Sequence, residues 1–394
     1  MSKKIVLAGA CRTPIGKMGG MLSNTPTPEL ATIVVKEALK RAGVAPDQVD
    51  EVILGCVFQA GIGQNVARQA SVYAGIPISV PAFTLNNLCG SGLKSINVAA
   101  ALINAGEADV IVAGGAENMS GAPYLLKKAR FGYRMRDGVL IDSMINDGLE
   151  DTFHHYHMGI TAENVAEKYG VTRRDQDEFS AESQQKTQKA IAEGKFKEEI
   201  LPVEVKVKRK KVLVDTDEAP RANVTVDSLS KLPPAFKEGG TVTAGNSSGI
   251  NDAASAMVVM SEEKAKELGV KPLATWIGGS SAGVDPAYMG LGPIEATKKV
   301  MAKTGLKVAD MDLVEANEAF AAQSIEVCRE LKFDMSKVNV NGGAIALGHP
   351  VGCSGSRILT TLMYEMKRRG SEYGLATLCV GGGMGVATIV RMEG

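Results

Sequence analysis

Seven short runs of apolar residues recur along the chain, each ended by glycine or by a polar residue. They are residues 5–8, 52–54, 110–113, 256–260, 313–314, 375–380 and 386–390. The runs are apolar at successive positions instead of alternate ones. This pattern predicts strands that are buried on both faces, as in parallel sheets.

Helical segments lie between these runs. Thr27 followed by Pro28 is typical of a capped helix start, and Gly43 is typical of a helix end. The segment 92–104 is rich in alanine and carries Lys94 as its one charge, which predicts a buried central helix. Strands that alternate with helices indicate an α/β fold built from βαβ units with right-handed crossovers.

The middle of the chain, residues 120–247, differs from both ends because it is polar and charged and has few strand-like runs. Within it, Thr172 followed by Asp175 predicts a capped helix that runs to about Gly194. The basic stretch 206–211 is better explained as a solvated strand face than as a phosphate clamp. We interpret the middle segment as an insertion between two α/β halves.

A weak internal repeat supports two similar halves. The motif at 89–92 opens an apolar helix, which is followed by a strand and a pair of glycines. A similar motif at 352–355, about 263 residues later, opens a helix followed by the strand 375–380 and three glycines. The repeat predicts two similar domains that face each other, with a site where their loops meet.

Composition narrows the class of protein. A chain of 394 residues is long enough for two or three domains. It has 44 basic and 44 acidic residues, and this zero balance argues against a nucleic-acid partner. No run approaches the roughly 18 apolar residues of a membrane span. The 44 glycines, about 11% of the chain, suit an enzyme with tight turns and close backbone approaches.

The six cysteines are scattered, without a CxxC pair or a short regular spacing. This spacing argues against a disulfide scaffold and against a zinc site, and it suits a reducing compartment. We therefore expect a cytoplasmic protein. Four of the cysteines lack distinctive surroundings and are interpreted as core or supporting residues: Cys11, Cys56, Cys328 and Cys353.

The other two cysteines have reactive surroundings. Cys89 precedes the buried helix, where the helix dipole favours a thiolate, and its small neighbours leave room for a substrate. Cys379 ends a strand that opens into a glycine-rich turn, where backbone N–H groups surround the thiol. A buried, inert thiol is the alternative interpretation of Cys89 from this segment alone.

The four histidines divide into two kinds. His154, His155 and His157 lie together in the insertion, where the absence of a carboxylate or cysteine at ligand spacing favours a loop over a metal site. His349 lies between Gly348 and Pro350. It is interpreted either as a turn residue or as a functional residue, which would act as a general base or as an oxyanion donor. Asn317 follows a strand at the start of a helix. It is interpreted either as a helix cap or as a site residue.

Familiar nucleotide-binding motifs are missing. The glycines at 61 and 63 are not followed by the third glycine of a dinucleotide fingerprint. A P-loop does not occur either.

Taken together, the motifs resemble the thiolase family and, within it, acetyl-CoA acetyltransferases of the biosynthetic type. The resemblance spans essentially the whole chain and depends on several motifs in one order. They lie at residues 9–16, 88–92, 114–120, 243–249, 317–320, 348–355 and 379–385.

The resemblance implies duplicated thiolase-like α/β domains, each a five-stranded mixed sheet sandwiched by helices, with an inserted loop domain. The N-terminal domain would comprise 1–119 and 248–270, and the C-terminal domain 271–394. The loop domain, 120–247, would serve CoA binding and oligomerisation. The implied assembly is a homotetramer, a dimer of dimers.

The implied reaction is the reversible Claisen condensation of two acetyl-CoA to acetoacetyl-CoA and CoA, by a ping-pong mechanism. Cys89 would be the nucleophile that carries the acetyl group, and His349 the base that activates it. His349 with Asn317, which would hold a water, would stabilise the enolate oxygen. Cys379 would move the α-proton, and Gly381 with Cys89 would form a second oxyanion hole. No metal or redox cofactor is implied, since CoA is substrate and product.

CoA is expected to lie over the insertion. The resemblance implies that Arg221 and Ser228 contact the nucleotide end, and that Ser248 and Ala244 contact the pantetheine. The residues implied to shape the pantetheine and acyl pocket are Leu149, His157, Met158, Phe236, Met289 and Phe320. The sequence departs from the expected pattern at three positions, His154, His155 and Cys353.

Three other functions remain open at this stage. A 3-ketoacyl-CoA thiolase of broad specificity would share every motif. A hydrolase would use Cys89, Asn317 and His349 as a triad, but would leave Cys379 and its glycines unexplained. A catalytically silent CoA-binding protein would bind CoA without acetylation of Cys89.

Overall fold

The computed structural model describes residues 3–393. The strands of this part of the chain are β1 (Ile5–Arg12), β2 (Gly16–Lys17), β3 (Glu51–Gly55), β4 (Ala82–Leu85), β5 (Val110–Asn118), β6 (Tyr124–Leu125), β7 (Ile141–Asp142), β8 (Val203–Val207), β9 (Lys210–Val214), β10 (Asn251–Ser261), β11 (Ala274–Gly283), β12 (Leu313–Ala316), β13 (Tyr373–Val380) and β14 (Met384–Met392). The α-helices are α1 (Thr27–Ala42), α2 (Val66–Tyr73), α3 (Ser91–Ala105), α4 (Met158–Tyr169), α5 (Arg173–Ala192), α6 (Val226–Leu229), α7 (Glu262–Leu268), α8 (Gly292–Thr304), α9 (Ala321–Leu331), α10 (Ala344–Leu347) and α11 (Val351–Arg369).

One mixed sheet runs through the molecule in the order β12-β13-β14-β11-β1-β10-β5-β3-β4, with β2 paired to β10. All seven predicted strands belong to it. The expectation of a parallel sheet is wrong for its centre, since β1, β10, β11 and β14 pair antiparallel to their neighbours. The parallel pairs are β3 with β4, β3 with β5, and β12 with β13. Helices cover both faces, and burial therefore gives continuous apolar runs whatever the strand direction.

The sheet has two halves. The first consists of β4, β3, β5, β10 and β1, and the second of β11, β14, β13 and β12. They join where Ile5, Val6 and Leu7 of β1 pair with residues 274–276 of β11. The second half therefore has four strands instead of the expected five. At the position expected for a fifth strand, Val338 makes a single parallel bridge to Val314.

Helices α3 and α11 pack against each other and against strands of both halves of the sheet. Their close approach requires glycine. A Cβ on Gly92 would lie 2.8 Å from the backbone nitrogen of Ser356, and one on Gly355 would lie 2.3 Å from that of Leu93. The two copies of the repeated motif therefore meet at the helix crossing.

The remaining helices of the two halves pack on the outer faces of the sheet. Helices α1 and α2 cover the first half, and α8 and α9 cover the second, each over a buried aliphatic cluster. Helix α1 begins at Thr27 itself, with Pro26 at the cap position and no side-chain cap. The prediction of a Thr27 cap is therefore wrong, whereas Gly43 ends the helix in the left-handed conformation as expected.

The middle segment forms its own set of elements. The predicted capping box is present, because Thr172 and Asp175 bond reciprocally at the start of α5. Strands β8 and β9 form a hairpin in which Lys206, Lys208, Arg209 and Lys210 are exposed and Lys211 lies 2.6 Å from Glu204. The basic stretch is therefore a solvated strand face, as predicted. None of the helices within residues 3–393 is both long enough and apolar enough to cross a membrane.

Candidate active site

Cys89 lies in the turn between β4 and α3. Leu88 in this turn has a positive φ of 45°, a strained conformation for a bulky residue. The hydroxyl of Ser91 donates to the carbonyl oxygen of Leu88 at 2.7 Å and accepts from the N–H of Asn87 at 2.8 Å. The backbone N–H groups of Gly381 and of Cys89 itself point at the sulfur. The turn therefore holds the thiol at the first turn of α3, between two backbone donors.

Burial decides the protonation state of Cys89. Desolvation raises the pKa of the thiol to about 11, and the buried carboxyl of Glu117 adds to the rise. The N–H groups of Gly381 and Cys89 lower the pKa but do not outweigh burial. The helix terminus favours a thiolate, as the sequence predicts, whereas desolvation in the folded site favours the neutral thiol.

His349 lies between α10 and α11 and is held at two atoms. Its N–H donates to Oδ1 of Asn251 at 2.9 Å, and its Nδ1 is 2.6 Å from the hydroxyl of Ser354. That hydroxyl also donates to the carbonyl oxygen of Pro350 at 2.9 Å. When the hydroxyl gives its one proton to Pro350, Nδ1 of His349 carries the ring proton and Nε2 is the basic nitrogen. Nε2 has no hydrogen-bond partner among the described residues.

The imidazole of His349 is uncharged at rest. Burial lowers the pKa of His349 to about 3, and the positive charge of Arg357 acts in the same direction. A neutral imidazole with a free Nε2 can accept a proton as a general base.

Asn317 follows β12 and faces the same histidine. Its N–H donates to the carbonyl oxygen of Thr377 at 3.0 Å, which ties it to β13. Its side-chain nitrogen lies 3.4 Å from Nδ1 of His349. Its Oδ1 has no partner within residues 3–393 and is therefore available to water or substrate.

Cys379 lies at the end of β13 and is fully buried. Its Sγ donates to Oε1 of Gln323 at 3.5 Å. Burial raises the pKa of the Cys379 thiol strongly, and the neighbouring Cys89 adds to the rise. Both thiols and the imidazole are thus neutral in the resting site.

A cavity of about 410 Å³ opens beside these groups. Cys89, His349 and Gly381 line it, whereas Asn317 and Cys379 do not. Nine of the ten expected substrate-binding residues line the cavity: Leu149, His157, Met158, Arg221, Phe236, Ala244, Ser248, Met289 and Phe320. Its volume suits a small-molecule site, and Arg221 is the one charged side chain among the described lining residues.

Ser228 is the exception among the ten. It lies on the short helix α6, away from the cavity lining. Its hydroxyl donates to the carbonyl oxygen of Thr225 at 2.7 Å and accepts from the N–H of Thr225 at 3.0 Å. The hydroxyl therefore serves a local capping box.

One part of the cavity wall is aromatic. His157 stacks on Phe236 with ring centres 4.6 Å apart, and Phe236 meets Phe320 edge-on at 6.0 Å. The Nδ1 of His157 accepts from the N–H of Gly159 at 3.0 Å, which caps α4. Burial lowers the pKa of His157, and the ring therefore presents an uncharged surface to the cavity.

The other two histidines of the insertion point elsewhere. Nδ1 of His154 is 2.8 Å from Asp151, and Nδ1 of His155 is 3.7 Å from Glu150, with the latter ring exposed. Within residues 3–393 no group of three or more His, Cys, Asp or Glu side chains is placed to hold a metal ion.

Four residues that build the site were not predicted from the sequence. Asn251 and Ser354 hold His349, and Gln323 contacts Cys379. Glu117 accepts backbone N–H groups from the loop after β3 and from the first turn of α11, the latter from Gly352 at 2.9 Å. Glu117 and Ser354 carried a signal, because they lie in the motifs 114–120 and 348–355.

A second buried carboxyl lies two residues before Asn317. Glu315 is 3.8 Å from Arg357, and burial raises its pKa to about 8. A carboxyl whose pKa is higher in the folded than in the unfolded state contributes most to stability when it is protonated, at low pH. This contribution is lost as the pH rises towards the folded pKa. The free energy of unfolding should therefore fall between pH 5 and pH 8, by up to about 1.4 kcal/mol per pH unit for this group.

In Glu315→Gln this fall should become shallower, because the amide does not titrate. Chemical denaturation at several pH values would measure both slopes. Glu330→Gln, at an exposed position of α9, is the matched control and should leave the slope in place. Equal slopes for Glu315→Gln and the parent would contradict the assignment.

Comparisons with known proteins match the whole chain. The family model described as "Thiolase, N-terminal domain" matches residues 5–263, and "Thiolase, C-terminal domain" matches residues 270–392. The chain is 58% identical to an acetyl-CoA acetyltransferase of Syntrophomonas wolfei, over 99% of this chain and 100% of that protein. It is 56% identical to an acetyl-CoA acetyltransferase of Cupriavidus necator, over 99% of each chain.

Solved structures give the same picture. The crystal structure of the Bacillus anthracis acetyl-CoA acetyltransferase superposes with a TM-score of 0.97 at 48% identity, over 100% of this chain and 99% of that chain. The human mitochondrial 3-ketoacyl-CoA thiolase in complex with CoA superposes with a TM-score of 0.96 at 43% identity, over 100% and 98%.

Proposed function

Since this chain belongs to the thiolase family, we propose that it is an acetyl-CoA C-acetyltransferase, an acyltransferase that joins two acetyl-CoA to acetoacetyl-CoA and CoA and also runs in reverse. One observation carries the proposal: two neutral thiols and a neutral imidazole converge at an apolar cavity. Cys89 and His349 line the cavity, and Cys379 lies beside Cys89. The names of the similar proteins support the same activity.

In the first half-reaction, Nε2 of His349 takes the proton of Cys89 as the sulfur attacks the carbonyl carbon of acetyl-CoA. The N–H groups of Cys89 and Gly381, which already point at the sulfur, stabilise the oxyanion. The C–S bond to CoA breaks, and the leaving thiolate takes a proton from Cys379. The site then holds acetyl-Cys89, an imidazolium and the thiolate of Cys379, so that opposite charges arise as a pair.

In the second half-reaction, the Cys379 thiolate removes an α-proton from the second acetyl-CoA. The imidazolium of His349, with a water held by Asn317, stabilises the enolate oxygen. The enolate carbon attacks acetyl-Cys89, the C–S bond to Cys89 breaks, and His349 returns its proton to that sulfur. Every proton is accounted for and the neutral resting site is restored.

CoA is proposed to bind with its pantetheine among the apolar lining residues and its nucleotide end towards Arg221. Ser248 and Ala244 would contact the pantetheine, and their position in the lining supports this. The position of Ser228 does not support a contact with the nucleotide. Since side chains and backbone of this chain supply every step, we propose that no metal or redox cofactor takes part.

We also propose a cytoplasmic homotetramer. All six cysteines are free in the described chain, which suits a reducing compartment. The segment after β5 exposes large apolar side chains, with Phe131 90% and Met135 88% exposed. Apolar side chains at this exposure are typical of an assembly surface.

A 3-ketoacyl-CoA thiolase of broad specificity is the second candidate, because the human mitochondrial 3-ketoacyl-CoA thiolase has the same fold. The cavity favours the short-chain enzyme, since Leu149, Met158 and the stacked rings of His157 and Phe236 close its wall.

Thiolysis with free CoA should therefore be at least about tenfold more efficient with acetoacetyl-CoA than with 3-ketohexadecanoyl-CoA, since a tight apolar pocket discriminates by about 1–3 kcal/mol. Steady-state kcat/KM values for both substrates would measure this ratio. Condensation of acetyl-CoA, followed through acetoacetyl-CoA formation, is the companion assay. A higher kcat/KM for the long-chain substrate would favour the second candidate.

A further inference from the structure

Gln323 is a buried amide that touches Cys379. It lies near the start of α9, with 2% of its surface exposed. Its Oε1 lies 3.5 Å from Sγ of Cys379 and accepts the N–H of Ala319 at 3.2 Å. It does not line the cavity, and the reaction proposed above assigns it no step.

The contact with Ala319 fixes which end of the amide faces the thiol. A backbone N–H can only donate, and the side-chain atom beside it must therefore be the oxygen. The same oxygen faces Cys379. An amide oxygen accepts hydrogen bonds but cannot donate one, and the sulfur opposite it must be the donor.

The side chain is also held in place. A Cβ on Gly290 would lie 2.5 Å from Cβ of Gln323, so that the turn before α8 packs directly on this residue. Rotation that would present the amide nitrogen to the sulfur would break the bond to Ala319. The acceptor is thus built into the site.

We propose that Gln323 is a positioning residue that holds Cys379 in its protonated form and points the thiol proton along the Sγ–Oε1 axis. The proposal rests on the acid–base role proposed for Cys379. It means that Cys379 becomes a thiolate only when the departing CoA thiolate takes its proton. Premature ionisation of the second cysteine beside an unacylated Cys89 is thereby disfavoured.

Alkylation of Cys379 by iodoacetamide tests the proposal, because only the thiolate reacts. All variants are made in the Cys89→Ser background, which removes the other thiol of the site. The initial rate of alkylation is followed at pH 9 by mass spectrometry of the peptide that contains Cys379. Gln323→Met keeps the size of the side chain and removes the acceptor. It should speed alkylation roughly fivefold, the effect of one lost hydrogen bond to the thiol form.

Gln323→Glu should change the alkylation rate of Cys379 in the opposite direction. A carboxylate keeps the bond to Ala319 and places a negative charge beside the sulfur, which should slow alkylation at least about fivefold. Gln176→Met is the matched control, since Gln176 is equally buried and bonds to Thr241 in another part of the fold. It should leave the rate unchanged.

Opposite shifts in the two Gln323 variants support the proposal. Faster alkylation in both, which simple loosening of the site would produce, would overturn it, as would unchanged rates in both. Alkylation needs no acyl transfer, and acetylation of Cys89 in the wild-type chain therefore tests the proposed function separately.

Discussion

Replacing Cys89 by serine is expected to lower kcat for condensation by at least about 10⁴-fold, since removal of a catalytic nucleophile can cost about 10⁶-fold. A hydroxyl holds its proton more tightly than a thiol does. The imidazole of His349, which burial makes a weaker base than usual, therefore deprotonates serine far less readily than cysteine. The measurement is the steady-state rate of acetoacetyl-CoA formation, together with the amount of label that the protein retains from radiolabelled acetyl-CoA.

Cys353→Ala is the matched control. Cys353 lies in the same motif as His349, but it is fully buried in an aliphatic cluster with Ile15 and Leu347. The variant should keep its labelling and most of its kcat. If Cys89→Ser retained stoichiometric label while Cys353→Ala lost it, the assignment of the nucleophile would be wrong.

Replacing Cys379 by alanine is expected to separate the two half-reactions. Condensation should fall roughly 10³-fold, within the range of a lost general base. Acetylation of Cys89 should remain detectable, because His349 can return to the departing CoA the proton that it took from Cys89. Labelling of the protein by acetyl-CoA and formation of acetoacetyl-CoA are measured on the same sample.

Cys328→Ala serves as the control, because Cys328 lies on α9 and is buried in the outer cluster of the second half. It should condense at nearly the parental rate. Condensation at the normal rate by Cys379→Ala would contradict the mechanism, since no other group has been assigned to the α-proton.

The sequence located the strands of the sheet better than their directions. Strands β5 and β10 appeared as apolar runs because both faces are buried, and burial does not depend on whether a neighbour is parallel. Strand β11 was missed because Gly278, Gly279, Ser280 and Ser281 interrupt its apolar pattern. A Cβ on Gly279 would lie 2.1 Å from Oδ1 of Asn97 on α3, a contact distant in sequence that explains the glycine.

The site was predictable where chemistry depends on residue type and order. Cys89, His349, Cys379 and Asn317 are brought together from four separate segments of the chain, and two motif glycines, Gly92 and Gly355, are required where the helices cross. The charge state was not predictable, because it depends on burial that only the fold creates. Gln323 and Asn251 were not predictable either, since they act through contacts between distant segments.

A pulse-chase of the acetyl group tests the central claim most directly. The enzyme is labelled with radioactive acetyl-CoA, freed of excess reagent, mapped by mass spectrometry and then mixed with unlabelled acetyl-CoA. The account predicts one label per chain on Cys89, which the chase transfers to the terminal acetyl group of acetoacetyl-CoA. Label that leaves as acetate, or the absence of label on Cys89, would contradict it.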